Sequence, residues 1–266
     1  MDRLPVVADK FYPGNPRELC HFFEENIPAV TSRNPAKLVV VPHAGYVYSG
    51  AVVGETLVRV EIPQTVVLLG PNHHGLGAPV ALSDEDWLTP MGRVPFAAEL
   101  ARFLLQDEGP IVIDNGAHTF EHSLEVQLPF LQFFQEELSI LALTISHLPL
   151  HRCQDVAGRI AQAIRLYGKP VLLLASTDMT HYESRSNAVK KDTMVLERVR
   201  ALDPTGLYTA VTSQKISMCG FIPTCIGLMA ALELGADTAE LIRYTDSGAV
   251  SGDINQVVGY AGLYVL

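Results

Sequence analysis

The sequence predicts an α/β fold: one domain over residues 1–266, with a mostly parallel central sheet and helices on both faces. Three observations predict it. Unbroken apolar runs of four to six residues, rich in Val, Ile and Leu, read as strands buried on both sides, as in a parallel sheet between helical layers. Longer amphipathic segments separate these runs. Finally, 48% of the residues are hydrophobic and 18% charged, the composition of a chain that buries a core. No stretch has linker composition and no repeat is visible, so one domain is the economical reading.

The elements follow in order. Residues 37–41 form a strand, followed by the loop Pro42-His43-Ala44-Gly45 and a helix over about 50–60. The unit repeats at 65–69, with the loop Gly70-Pro71-Asn72-His73-His74-Gly75. A short strand over 78–82, a loop through 87–92 and a helix over 97–106 come next. After an apolar run at 111–113, the segment 120–134 places Leu124, Leu128 and Leu131 at helical spacing and carries His122. Pro129 inside it predicts a kink or an early stop. A strand at 140–145, a helix at 153–167 and a strand at 171–175 follow. Helices over 184–201, 203–211 and 223–234 precede two closing strands at 239–244 and 257–265.

Charge and composition exclude several functions. Nineteen Lys and Arg against 29 Asp and Glu leave a net charge of −10, and no run of five basic residues occurs. Nucleic acid and anionic membranes are therefore not expected partners, because no basic footprint exists to release counterions. The first residues lack the charged-then-apolar layout of a signal peptide, and the longest apolar runs fall far short of the ~20 residues of a membrane helix. The cysteines Cys20, Cys153, Cys219 and Cys225 are scattered, with no Cys-x-x-Cys, which suits reduced thiols in a cytoplasmic protein.

The chemistry lies in where the histidines fall. His43 follows the strand ending at Val41, His73 and His74 follow the one ending at Leu69, and Asp178 and His181 follow the one ending at Ala175. In a parallel sheet these strand ends share one edge, where α/β proteins bind ligands. One such histidine is ordinarily a loop residue; three junctions delivering imidazoles to one rim point to a metal. Two or three imidazoles with one anionic ligand suit iron, zinc or copper. Cys219, in Ser217-Met218-Cys219-Gly220 just before a helix, is a further donor biased toward thiolate by the helix N-terminus. His118-Thr119-Phe120-Glu121-His122 matches the His-x-x-Glu-His of inverted zinc peptidases, but a chain of alternating strands and helices is the wrong context for that motif. No Gly-x-Gly-x-x-Gly, Walker or Gly-x-Ser-x-Gly signature occurs.

Taken together, four stretches resemble the Memo family, whose bacterial and archaeal members are called AmmeMemoRadiSam system protein B. They are Pro42-His43-Ala44-Gly45-Tyr46-Val47-Tyr48-Ser49-Gly50, Gly70-Pro71-Asn72-His73-His74, Glu121-His122-Ser123-Leu124-Glu125-Val126-Gln127-Leu128-Pro129 and Ser176-Thr177-Asp178-Met179-Thr180-His181. Phe11-Tyr12-Pro13-Gly14 and Cys219-Gly220 also fit, whereas Asp9 stands where many relatives carry glycine. The resemblance implies a fold like that of class III extradiol ring-cleaving dioxygenases, the protocatechuate 4,5-dioxygenase β-subunit type. It implies a divalent metal, iron first and copper or zinc as alternatives, on His43, His73 and Cys219. His181 then stands where the dioxygenases keep an acid/base histidine, with Asp178 orienting it and His122 in the same pocket. A non-heme iron redox enzyme or dioxygenase acting on a small aromatic substrate is one expectation. A non-enzymatic adaptor binding metal or peptide in the same cleft is another, and an accessory role beside radical-SAM and AMMECR1-like proteins is a third. A cysteine in place of the dioxygenases' carboxylate ligand would soften the site, and likeness of fold does not transfer the reaction.

Overall fold

The computed structural model describes residues 2–266. Its first half contains β1 (Asp2–Arg3), α1 (Pro16–Asn26), β2 (Leu38–Val41), α2 (Tyr46–Leu57), β3 (Thr65–Pro71), β4 (Val80–Ser83), β5 (Asp86–Thr89), β6 (Gly92–Val94), α3 (Ala98–Leu104), β7 (Val112–Ile113) and α4 (Leu128–Phe134). The second half contains β8 (Ser139–Ile145), α5 (Leu150–Tyr167), β9 (Val171–Ser176), β10 (His181–Glu183), α6 (Arg185–Arg200), α7 (Pro204–Gln214), α8 (Phe221–Glu233), β11 (Ala239–Asp246), α9 (Gly248–Ser251) and β12 (Val257–Val265).

Among the described residues the main sheet has nine strands, ordered β10-β12-β2-β9-β3-β8-β4-β7 with β11 also pairing β12. Its centre, β2-β9-β3-β8, is parallel, with Val41 opposite Ser176 and Leu69 opposite Ala175. Its flanks are antiparallel, at β12–β2 and β4–β8, so the sheet is mixed and the expected parallel character belongs to its core. That core explains the unbroken apolar runs. Val39, Val41, Val66 and Leu68 pack on Phe23, Leu57 and Phe130 from one helical layer. Leu38, Val40, Val67 and Leu69 alternate with them and pack on Leu100, Ile160 and Ile226 from the other. Each fully buried side chain of this kind contributes roughly 1.5–3 kcal/mol.

Three sequence expectations are corrected. Residues 87–92 are not a plain loop: β5 and β6 form a hairpin that pairs with β1 in a second, three-stranded sheet. The helix expected over 120–134 exists only as α4. Pro129 sits in its first turn, where no intrahelical N–H is lost, so the proline opens the helix instead of kinking it. His122 and Glu121 therefore lie in an irregular segment ahead of a 3₁₀ turn at Glu125–Gln127, not on a helix. Finally, α1 is absent from the expected elements, although Asn15 caps it by accepting from the Arg17 N–H and Pro16 opens it. Among the described residues no helix is long and apolar enough to cross a membrane.

Candidate metal centre

β2, β9 and β3 are sheet neighbours, so the loops leaving their C-terminal ends converge. His43, Asp178 and His73 leave these three ends, and the irregular segment around Glu121 and His122 closes over them. The ligating atoms of His43, His73 and His122 all lie within 4.8 Å of one another. The His73 and His122 rings stack at 4.9 Å and 18°, and the His43 ring stands edge-on to both.

The surroundings fix which ring nitrogen of His43 and of His73 carries the lone pair. Ser176 donates its hydroxyl hydrogen to the Ser123 carbonyl at 2.7 Å, so its oxygen is left to accept from His43 Nδ1–H at 2.9 Å. Gln127 Nε2 donates to the same oxygen at 3.0 Å and to the Pro42 carbonyl at 2.8 Å, bracing the loop before His43. His73 is gripped twice by Glu121, which accepts from its backbone N–H at 2.7 Å and from Nδ1 at 2.9 Å. Both imidazoles thus keep the Nε2 lone pair for a ligand, the arrangement that outer carboxylates and hydroxyls impose on metal-binding histidines.

Electrostatics point the same way. Burial, with His73 and His122 adding like charge on protonation, holds His43 well below the usual imidazole range. Burial pulls His122 down to about 4 despite the nearby Glu121 carboxylate. Both are therefore neutral and ready to ligate at physiological pH. Glu121 is completely buried. Burial alone would raise its pKa, but the His73 ring and the Ser123 and His73 amides outweigh it and hold the carboxyl well below the carboxylate range.

Cys219 touches the group from one side, with Sγ 3.2 Å from His43 Nε2, yet it lies outside the three-imidazole set. The thiolate bias expected from the helix N-terminus is not found. Burial and the Asp178 carboxylate push the thiol well up, so without a cation it is a thiol. Asp178 is also placed differently from expectation. Its Oδ1 accepts from the His43 backbone N–H at 2.8 Å, and the His181 ring is held instead by two carbonyls, Met179 O at 2.8 Å and Ser217 O at 3.0 Å. Burial raises Asp178 to about 6, opposed by the His43 amide and His181. His74 is exposed against Phe120 and takes no part in the group. His118 points away, bonding the Ala81 carbonyl through Nε2 and packing edge-on to Trp87, so the His-x-x-Glu-His pattern does not grip one ion with both its histidines.

Sequence reasoning missed the roles of Glu121, Ser176 and Gln127, and the roof. The Phe11 ring lies 4.8 Å from that of His122. Its segment is pinned by buried Glu125, which accepts from Arg3 Nη1 (2.8 Å), the Val6 and Val7 amides (3.0 Å) and the Tyr12 hydroxyl (2.8 Å). A groove of about 630 Å³ lined by Phe11, Tyr12, Phe22, Tyr46 and Tyr48 opens beside this roof.

A family model described as Memo-like protein matches residues 3–264. The chain belongs to the Memo family. It is 41% identical to a MEMO1 family protein of Methanopyrus kandleri, covering 99% of this chain and 98% of that one. The MEMO1 family proteins of Methanothermobacter thermautotrophicus and Aquifex aeolicus are 39% and 37% identical, with 99% of this chain and 100% and 99% of theirs covered. Among solved structures, the Memo-family chain is similar in fold to an uncharacterized protein from Escherichia coli K12, with a TM-score of 0.56 and 15% identity over 84% of this chain and 98% of that one. At that identity the likeness concerns fold alone.

Proposed function

We propose that this Memo-family chain is a cytoplasmic non-heme iron oxygenase or related redox enzyme acting on a small aromatic substrate. The observation that carries the reading is the convergence of three imidazoles within 4.8 Å. A cation fits these residues: His43 and His73 each have Nδ1 tied back, so that Nε2 carries the lone pair, and His122 completes the nitrogen set. Cys219, against His43 Nε2, is the further donor, and a cation there would favour its thiolate. Bound iron would supply redox chemistry with dioxygen, with copper or zinc as alternatives of the same donor set. The chain's own residues do the rest. His181, with Nδ1 fixed on two carbonyls, presents Nε2 to move a proton. Asp178 holds the His43 loop, and Phe11 covers His122 against water.

Metal analysis of protein purified without added metal, repeated on His43→Ala, His122→Ala and Cys219→Ala, tests the site. Parent-level metal in His43→Ala overturns it. Oxygen uptake with catechol by iron-loaded protein tests the reaction, and a rate no faster than that of His43→Ala overturns the oxygenase reading. A second reading, a metal- or peptide-binding adaptor without turnover, is favoured by the aromatic groove beside Phe11. It predicts tight metal binding with no oxygen uptake. An accessory role beside radical-SAM and AMMECR1-like proteins is compatible with either and is tested by co-purification.

A further inference from the structure

Asp192 lies on α6 at a position with no solvent exposure, where a leucine would ordinarily pack. A carboxylate there is unfavourable unless its bonds have a purpose. Its oxygens accept from two neutral donors, the Thr180 backbone N–H at 2.9 Å and the Tyr244 hydroxyl at 2.7 Å. Gly259 on β12 leaves the room: a Cβ there would fall 2.2 Å from Asp192 Oδ2. The same glycine donates its N–H to the Thr180 carbonyl at 2.9 Å and accepts from Met179 N–H at 2.8 Å. The two peptide groups preceding His181 are thus held from both sides, by α6 and by β12.

We propose that Asp192 is a positioning residue for His181, acting through the backbone of Met179 and Thr180 with Tyr244 as its partner. With these peptides fixed, the Met179 carbonyl is aimed at His181 Nδ1 at 2.8 Å, and the Ser217 carbonyl meets the same nitrogen at 3.0 Å. A nitrogen facing two carbonyl oxygens must carry the hydrogen, because a bare lone pair would be repelled. The ring is held as the Nδ1–H tautomer, and Nε2 is left as the proton acceptor. Asp192 touches no substrate position; it selects which nitrogen of His181 does. The proposal deepens the reading of His181 as the proton-moving group, but its test needs neither metal nor turnover.

The test is ¹⁵N-detected tautomer assignment of His181 in the metal-free full chain, above the imidazole titration range. The parent is expected to show the Nδ1–H form. In Asp192→Ala the ratio of Nδ1–H to Nε2–H should fall about fivefold, the effect of losing one ordinary hydrogen bond. Asp192→Asn, which keeps an acceptor for Thr180 N–H, should restore most of that ratio. His43 is the internal control, since its tautomer depends on Ser176 and should not change. Where Asp192→Ala does not fold, Asp192→Ser serves, its hydroxyl being one atom shorter than the carboxylate. A folded variant in which His181 keeps the parent ratio, or in which His43 shifts equally, overturns the proposal. Failure of metal binding or oxygen uptake would leave it standing, so the two readings fail separately.

Discussion

Replacing Glu121 with Gln tests whether its carboxylate sets the metal affinity of His73. The side chain is fully buried and accepts three hydrogen bonds. Oε2 takes the His73 backbone N–H, while Oε1 takes His73 Nδ1 and the Ser123 backbone N–H. A glutamine has only one acceptor oxygen. If its NH₂ replaces Oε1, two donors face a donor; if it replaces Oε2, one does. The milder outcome leaves one buried donor pair unsatisfied, costing about 1–3 kcal/mol, and removes the negative charge that makes His73 a better base. Loss of such an outer partner typically weakens metal binding by about 10–100-fold. Competition between the protein and a chelator for zinc measures this, with far-UV circular dichroism showing that the variant folds. A dissociation constant within about twofold of the parent would refute the claim that Glu121 orients and polarises His73.

Further predictions follow the same networks. Glu125→Ala strands Arg3, which is buried against Trp87, and should destabilise the chain by about 3–5 kcal/mol; an unchanged urea midpoint would contradict this. Ser176→Ala removes the acceptor for His43 Nδ1 and Gln127 Nε2 and should weaken zinc binding by about tenfold, read by the same competition. Burial holds His118 down at about 4 against an ordinary 6.5, although its bond to the Ala81 carbonyl opposes this. The fold therefore favours the neutral ring, so His118 contributes stability above pH ~6.5 that is lost as pH falls toward 4, up to about 3 kcal/mol. Urea denaturation of the metal-free protein at about pH 7 and 4.5 should show this loss, with a smaller loss in His118→Gln; equal losses would assign the acid sensitivity elsewhere.

Much of the sheet was legible because its core strands are buried on both faces. Runs such as Leu68-Leu69 and Leu172-Leu173-Leu174 have few other structures open to them, and the histidines lie in the segments that follow them. The flanks were less legible: β5 and β6 are short, pair across Pro90-Met91 and carry the charged Asp86 and Arg93. Helix α1 buries only Leu19 and Phe23, too thin a stripe to stand out. The segment around His122 read as helix because Leu124, Leu128 and Leu131 have the right spacing. Tertiary bonds from Glu121 and Glu125 hold its first part open, and no periodicity records those. The histidines at the rim could be named from strand ends, but their tautomers depend on Ser176 and Glu121, whose contacts arise only in the fold.

The clasp on Glu125 also orders events during synthesis. Arg3 and the Glu125 carboxylate that anchors it are 122 residues apart, so the anchor exists only once that length of chain has been made. Until then the stretch bearing Phe11 has nothing to close upon, and contacts this distant in sequence form late. The site itself is no more local: β9, which stands between β2 and β3, lies beyond Glu125 in the chain, so the anchor of the cover is made before the strand that brings His43 and His73 together. The cover is thus built on a distant anchor, and removing the Phe11 ring would leave His122 bare on that side.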